Sequence, residues 1–132
     1  MYAKHDPLLP PENEAVITSC IAVGMAVHRA LGPGFKEKIY QRASALELDS
    51  RGISFEAEKE IEVVYRTWRI PGQRIDLIVK ELVLVELKAV PKLKQLHEAQ
   101  VRSYLKTTGL RVGLLMNFNA PVLKAGLKRI VM

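Results

Sequence analysis

The chain has 132 residues, of which 48% are hydrophobic and 26% charged, and this length and apolar fraction predict one folded domain and exclude intrinsic disorder. No apolar run approaches the roughly 20 residues of a membrane span, and the single Cys20 cannot form an intramolecular disulfide, so we expect a cytoplasmic protein without a membrane partner. The formal charge of +6 favours anionic partners such as nucleic acid.

The N-terminal segment is predicted to be a flexible arm over residues 1–12, because three prolines interrupt a stretch without periodicity. A single domain is expected to span residues 13–132. Asn13 is suited to the N-cap of a first helix, and apolar residues at helical spacing extend this largely buried helix to about Leu31.

A second helix follows a Gly-Pro-Gly turn. Its predicted apolar face carries Ile39, Ala43 and Leu46. The pattern runs to Arg51, where Gly52 fits the position just beyond a helix C-terminus. The sequence therefore predicts a helical pair at the start of the domain.

The period of the apolar residues then changes to two, which indicates a strand over residues 53–65. Pro71 and Gly72 are expected to form the next turn. Close-spaced apolar runs at 75–79 and 82–90 predict a hairpin of central strands covered on both faces.

The C-terminal part returns to helical spacing over residues 94–107 and ends in an apolar strand at 112–116. Residues 122–131 add at most one short edge strand. The predicted fold is therefore α+β (mixed α/β), with a helical pair, a three-stranded antiparallel meander, a helix, and one or two further strands.

Three charged residues interrupt the most apolar predicted strands, although charged side chains are rarely buried unless they are paired or bind a metal. Glu86 and Lys88 share one face of a strand, and a hairpin that turns at Lys80 and Glu81 places Asp76 near Glu86. Two converging carboxylates require a cation, and Mg²⁺ is typically held by one or two carboxylates together with waters and phosphates.

An alternative interpretation treats the same residues as ion pairs, with Glu86 bound to Lys88 on a solvated face and Asp76 bound to Arg74. Such an arrangement needs only one pair, and it does not explain why two acids and a base all interrupt strands that otherwise look buried. The spacing favours a site in which Lys88 orients or activates a water.

The pattern of Asp76 followed by Glu86-Leu87-Lys88 is similar to the signature of the PD-(D/E)XK nuclease superfamily. Residues 34–40 fit the pattern GxxExxY, and the chain resembles the small GxxExxY proteins over residues 14–131. The resemblance implies a restriction-endonuclease-like α-β-β-β-α-β core and metal-dependent hydrolysis of phosphodiester bonds.

The resemblance also implies roles for four charged residues. Asp76 and Glu86 become ligands of Mg²⁺ or Mn²⁺, and Lys88 becomes the cation that orients the water. Glu37 becomes a further acid that acts as a metal ligand or through a water. A structural alternative exists for Glu37, because a carboxylate in the first turn of a helix is stabilised by the helix dipole.

The predicted helix after the signature places His97, Gln100 and Tyr104 on one face. Gln100 and Tyr104 resemble the QxxxY element of one branch of the superfamily, in which the pair contacts substrate or positions the lysine. The alternative is a polar stripe on the helix, and His97 fits a surface or supporting role better than a ligand.

A basic surface around the site is expected to contact nucleic acid through Lys92, Lys94, Arg102 and Lys106, unless these charges form only a solvated face. Aromatic residues are few, so Tyr65 and Trp68 give little support for a platform that stacks single strands.

The leading hypothesis is a Mg²⁺-dependent endonuclease or exonuclease that acts on DNA rather than RNA. The small domain has little means of reading a base sequence, which favours a homodimer or a protein partner. The alternative is an inactive module of the same fold that binds nucleic acid or a regulatory partner.

Overall fold

The computed structural model describes residues 8–132, so most of the arm predicted for residues 1–12 lies outside the described part. Two helices, α1 (Pro11–Leu31) and α2 (Glu37–Ser50), come first. They are followed by the strands β1 (Phe55–Tyr65), β2 (Trp68–Val79) and β3 (Val83–Lys88). The chain ends with α3 (Gln95–Thr108), β4 (Val112–Asn117), a 3-10 turn (Leu123–Gly126) and β5 (Leu127–Val131).

The five strands form one sheet in the order β1-β2-β3-β4-β5. All neighbouring strands are antiparallel except β3 and β4, which are parallel and are joined by the crossover helix α3. A parallel connection of this kind requires a crossover, and α3 supplies it. The predicted fold class, α+β with three antiparallel strands, a helix and two more strands, is confirmed.

The sheet has a hydrophobic core on each side. One core contains residues of α1 and α2 with Leu77, Val85 and Leu87 from the central strands. The other contains residues of α3 with Leu84 and Leu115. Both faces of the central strands are therefore covered, as their nearly continuous apolar sequences predict.

The first helix begins two residues before the predicted cap. Pro11 occupies the first turn, where its fixed φ is compatible with a helix and its missing N–H is not needed. Asn13 lies inside the helix with only 4% of its surface exposed, so the prediction that it caps the helix is wrong. By length and composition alone, α1 is long and apolar enough to cross a membrane. The core helix of a soluble protein can meet the same criteria, and nine residues of α1 are buried.

The second helix buries a different face from the predicted one. Ile39 and Leu46 are 44% and 70% exposed, whereas Tyr40 and Leu48 are buried. The Tyr40 ring stacks on Phe118 with the ring centroids 4.6 Å apart. This long-range contact fixes the rotation of α2 and overrides the face with the more regular apolar spacing.

The first hairpin does not turn at Pro71 and Gly72, as the sequence predicts. The turn lies at residues 66–67, and Pro71 and Gly72 lie inside β2 opposite the single residue Glu62, where the register shifts. This arrangement is a β-bulge, one of the few places in a strand where proline is tolerated.

The second hairpin turns where the sequence predicts. Lys80 and Glu81 have φ values of 52° and 59°, and the Leu82 N–H donates to the Val79 carbonyl at 3.0 Å. Positive φ at both central residues is the signature of a type I′ turn, which matches the twist of the flanking strands.

Candidate active site

The site lies where β2 and β3 separate. Their pairing runs from the turn to Leu77 and Val85 and then stops. At the next position the Asp76 N–H donates to Glu86 Oε1 at 2.9 Å, and the Leu87 N–H donates to Asp76 Oδ2 at 2.9 Å. Each carboxylate thus accepts a backbone hydrogen bond from the opposite strand, and the structure brings Asp76 and Glu86 together.

The separation coincides with an exchange of faces along β2. Leu77 packs in the core beneath α1 and α2, whereas Ile75, two residues away, packs in the core beneath α3. Residues two apart share a face in a regular strand, so the strand pair must twist sharply at Asp76. On β1, Ala57 pairs with Leu77 and Lys59 pairs with Ile75. Glu58, which lies between them, has a φ of 52° and is not paired with β2.

Glu58 is a site residue that the sequence analysis missed. Its charge contributes to raising the pKa of Asp76, and its carboxylate lies 3.7 Å from Lys38 Nζ. No sequence signal separates it from the neighbouring glutamates of β1, because its distinguishing feature is a positive φ, which non-glycine residues seldom adopt.

Burial controls the electrostatics of the two acids. It raises the pKa of Asp76, while the hydrogen bond from the Leu87 N–H opposes that shift. Glu86 is only 3% exposed, and burial followed by the charge of Asp76 raises its pKa to about 8. The positive charge of Lys88 lowers the pKa of both acids but does not offset their burial, so the pair is short of positive charge.

Lys88 faces α3, and it forms no ion pair with an acid of the described residues, 8–132. Its Nζ donates to Gln100 Oε1 at 2.8 Å. Within residues 8–132, no ion pair joins Glu86 to Lys88 or Asp76 to Arg74, so the alternative interpretation as ion pairs is wrong.

Tyr104 lies one turn beyond Gln100 and is buried. Burial and the charges of Glu86 and Asp76 raise its pKa to about 12, against the effect of a hydrogen bond with the Gln100 side chain. The phenol therefore stays protonated at physiological pH. The structure thus brings Gln100, which is hydrogen-bonded to Lys88, and Tyr104 together beside the two acids.

One feature lets α3 approach the sheet closely, and another stabilises the start of the helix. Gly113 of β4 faces the helix, and a Cβ built there lies 2.6 Å from Val101 Cγ1, so any side chain at Gly113 would push α3 away. At the start of the helix the Lys94 N–H donates to His97 Nδ1 at 2.9 Å. His97 therefore caps α3, which agrees with the supporting role expected from the sequence.

Glu37 is the first residue of α2 and is exposed. Its charge contributes to raising the pKa of both Asp76 and Glu86. However, no group of three or more His, Cys, Asp or Glu side chains that could hold a metal is found in the described part of the chain. A firmer link from α2 is Gln41, whose Nε2 donates to the Asp76 carbonyl at 3.4 Å.

The four basic residues expected to contact nucleic acid are all exposed, but they do not lie together. Lys92 and Lys94 lie in the segment that leads from β3 to α3. Arg102 and Lys106 are rotated about 200° and 240° from Gln100 around α3, at 100° per residue. Arg102 and Lys106 therefore face away from Asp76 and Glu86. Arg102 instead lies 3.8 Å from Glu98.

Comparison with known protein families gives a match over most of the chain. A family model of the PD-(D/E)XK nuclease superfamily matches residues 14–130, a range that includes every strand residue of the site. No curated protein and no solved structure gives a significant match. The matched range covers most of the chain, and the sheet agrees with the restriction-endonuclease-like fold, so the protein belongs to the PD-(D/E)XK nuclease superfamily.

Proposed function

We propose that the protein is a metal-dependent nuclease of the GxxExxY group that hydrolyses phosphodiester bonds in DNA in the cytoplasm. The superfamily supports nuclease activity in general. The observation that carries the proposal is the juxtaposition of Asp76 and Glu86 at the opening between β2 and β3, with Lys88 held nearby by Gln100.

The donor set fits Mg²⁺ or Mn²⁺, because both ions prefer carboxylate oxygens. Asp76 and Glu86 would hold the ion, with Glu37 as a further ligand or acting through a water. The raised pKa values of Asp76 and Glu86 describe a carboxylate pair that gains from an added cation. When bound, the ion supplies Lewis-acid stabilisation of phosphoryl oxygens and activates water.

The remaining groups act through their own protons and charge. Lys88 Nζ, fixed by Gln100, donates to the attacking water or to a phosphate oxygen. Tyr104 keeps its proton and supports Gln100. Lys92 and Lys94 are better placed than Arg102 and Lys106 to bind the nucleic-acid backbone. A second copy of the chain or a protein partner would add specificity.

The test is cleavage of plasmid, linear and single-stranded DNA, and of RNA, with Mg²⁺, Mn²⁺ or EDTA. We expect metal-dependent cleavage of DNA that falls by roughly 10³-fold or more in Asp76→Asn and Glu86→Gln, because metal-ion catalysis contributes several kcal/mol. Glu81→Gln, in the turn at the other end of β3, is the matched control and should cut normally. Absence of cleavage with every metal and substrate, or equal cleavage by Asp76→Asn, would contradict the proposal.

A second candidate function is a module that binds nucleic acid without cutting it. The observation in its favour is that Glu37 does not join Asp76 and Glu86 in a three-residue metal group within residues 8–132. Salt-dependent DNA binding that survives Glu86→Gln and Lys88→Ala, with no cleavage under any metal, would establish this candidate instead.

A further inference from the structure

The hairpin formed by β1 and β2 extends beyond the rest of the sheet. β2 has 12 residues and β3 has six, and the pairing between them ends at Leu77. Residues 60–74 therefore pair only with each other. From here on, the arm means this hairpin segment, residues 60–74, and not the N-terminal residues 1–12. The arm begins directly beside the site, since Asp76 follows it on β2.

The tip of the arm presents an exposed aromatic face, which the small number of aromatic residues in the sequence did not lead us to expect. The rings of Tyr65 and Trp68 stack with centroids 6.0 Å apart and planes at 20°, although the residues are 54% and 60% exposed. Cross-strand pairing of Tyr65 with Trp68 and of Val63 with Ile70 places these four side chains on one face. Exposed apolar groups gathered in this way commonly mark a binding surface.

The charge of the tip identifies the kind of partner. Between Val63 and Ile75 the chain has three arginines and no aspartate or glutamate. The Arg66 guanidinium lies over the Tyr65 ring, 5.5 Å from its centroid. Arg74 has Glu60 opposite it, so the uncompensated charge is greatest at the tip. Aromatic rings beside arginines match single-stranded nucleic acid, whose unpaired bases stack on rings while its phosphates attract cations.

The arm is also in the right place for a polymer that passes through the site. Trp68 and Asp76 are eight residues apart on β2, so the tip lies at most about 26 Å from the acids at 3.3 Å per strand residue. We propose that the arm binds a single-stranded stretch of DNA that extends from the active site, with bases stacked on Trp68 and Tyr65 and a phosphate bound by Arg66. This inference rests on the proposed function in taking DNA as the polymer.

The experiment measures binding to a labelled single-stranded DNA of roughly 20 nucleotides, which outreaches the arm even at the 3.4 Å rise of a stacked strand. EDTA is present throughout, so that no cleavage occurs. Trp68→Ala should weaken single-strand binding about tenfold and leave duplex binding nearly unchanged, because only unpaired bases offer a face for stacking. Leu46→Ala, which removes an exposed apolar side chain from α2, is the matched control.

The charge contribution is tested separately with Arg66→Ala. The plot of log affinity against log salt concentration has a negative slope. The magnitude of this slope should decrease by about 0.7 for one lost phosphate contact with a single strand. Lys124→Ala removes one exposed charge elsewhere and should leave the slope unchanged.

Equal single-strand affinity of the wild type and Trp68→Ala would overturn the inference. A change from dimer to monomer in Trp68→Ala, with DNA binding unchanged, would also overturn it and would assign the face to a second copy of the chain. Arm-dependent binding without cleavage would contradict the nuclease function alone. Cleavage by the wild type, together with DNA binding that is unchanged in the arm variants, would contradict only the role of the arm.

Discussion

Both faces of β3 lie beneath helices, but one face carries only apolar residues and the other carries charged residues. The face beneath α1 and α2 carries Val83, Val85 and Leu87, each at most 3% exposed. The face beneath α3 carries Leu84, then Glu86 at 3% exposure, and then Lys88. Burial therefore does not distinguish core from site here, and the difference is that the buried group on the face beneath α3, Glu86, can ionise.

The apolar face stabilises the fold, and the charged face costs stability. Burying Leu87 removes apolar surface from water, whereas burying Glu86 raises its pKa because its ionised form loses hydration. The two faces meet in the backbone, since the Leu87 N–H donates to the Asp76 carboxylate. A strand of six residues thus anchors the core and holds the carboxylates in one place.

The largest effect separating the faces is expected from Leu87→Ala. Removal of this fully buried side chain should lower the free energy of unfolding by about 3 kcal/mol, because it leaves a cavity in the core beneath α1 and α2. Urea unfolding followed by circular dichroism measures the loss. Nuclease activity per folded molecule should stay within a few-fold of the wild type.

Glu86→Gln is the reciprocal variant. The amide oxygen can still accept the Asp76 N–H, and the buried carboxylate is gone. Because the folded pKa of Glu86 is raised to about 8, its ionised form costs stability as the pH rises toward 8, so the variant should be at least as stable as the wild type at pH 8. A loss of stability as large as that of Leu87→Ala would make Glu86 a structural residue.

A smaller effect on the charged face alone is expected from Gln100→Ala. Lys88 would lose the acceptor that fixes its Nζ, so kcat should fall about tenfold while KM and stability change little. Gln100→Glu keeps an acceptor oxygen and should restore part of the activity. Ser103→Ala on the exposed side of α3 is the control, and an unchanged kcat in Gln100→Ala would remove Gln100 from the site.

The sequence was sufficient where local signals decide the geometry. The turn at Lys80 and Glu81 fixes how far Asp76 and Glu86 lie from it, so their juxtaposition follows from counting along two strands. The period of two likewise places Glu86 and Lys88 on one face. The order of helices and strands could be predicted for the same reason, since long apolar patterns separated by Gly and Pro mark where each helix or strand begins and ends.

The sequence was insufficient where distant contacts decide. The rotation of α2 depends on Tyr40 meeting Phe118, which is 78 positions later, so the apolar spacing of Ile39 and Leu46 was misleading. Pro71 and Gly72 look like a turn but form a bulge, because the chain turns earlier. Glu58 was missed since its positive φ depends on the twist of the strand pair and has no local signal.

The most direct test of the central claim is a calorimetric titration of Mn²⁺ into the wild type and Glu86→Gln at pH 6 and pH 7. The wild type should bind Mn²⁺, about tenfold more tightly at pH 7 than at pH 6, because a carboxyl with a pKa of about 8 must lose its proton to coordinate the ion. Glu86→Gln should show no binding. Equal binding by both proteins, or none by the wild type, would contradict the assignment of the charged face of β3 to a metal-dependent active site.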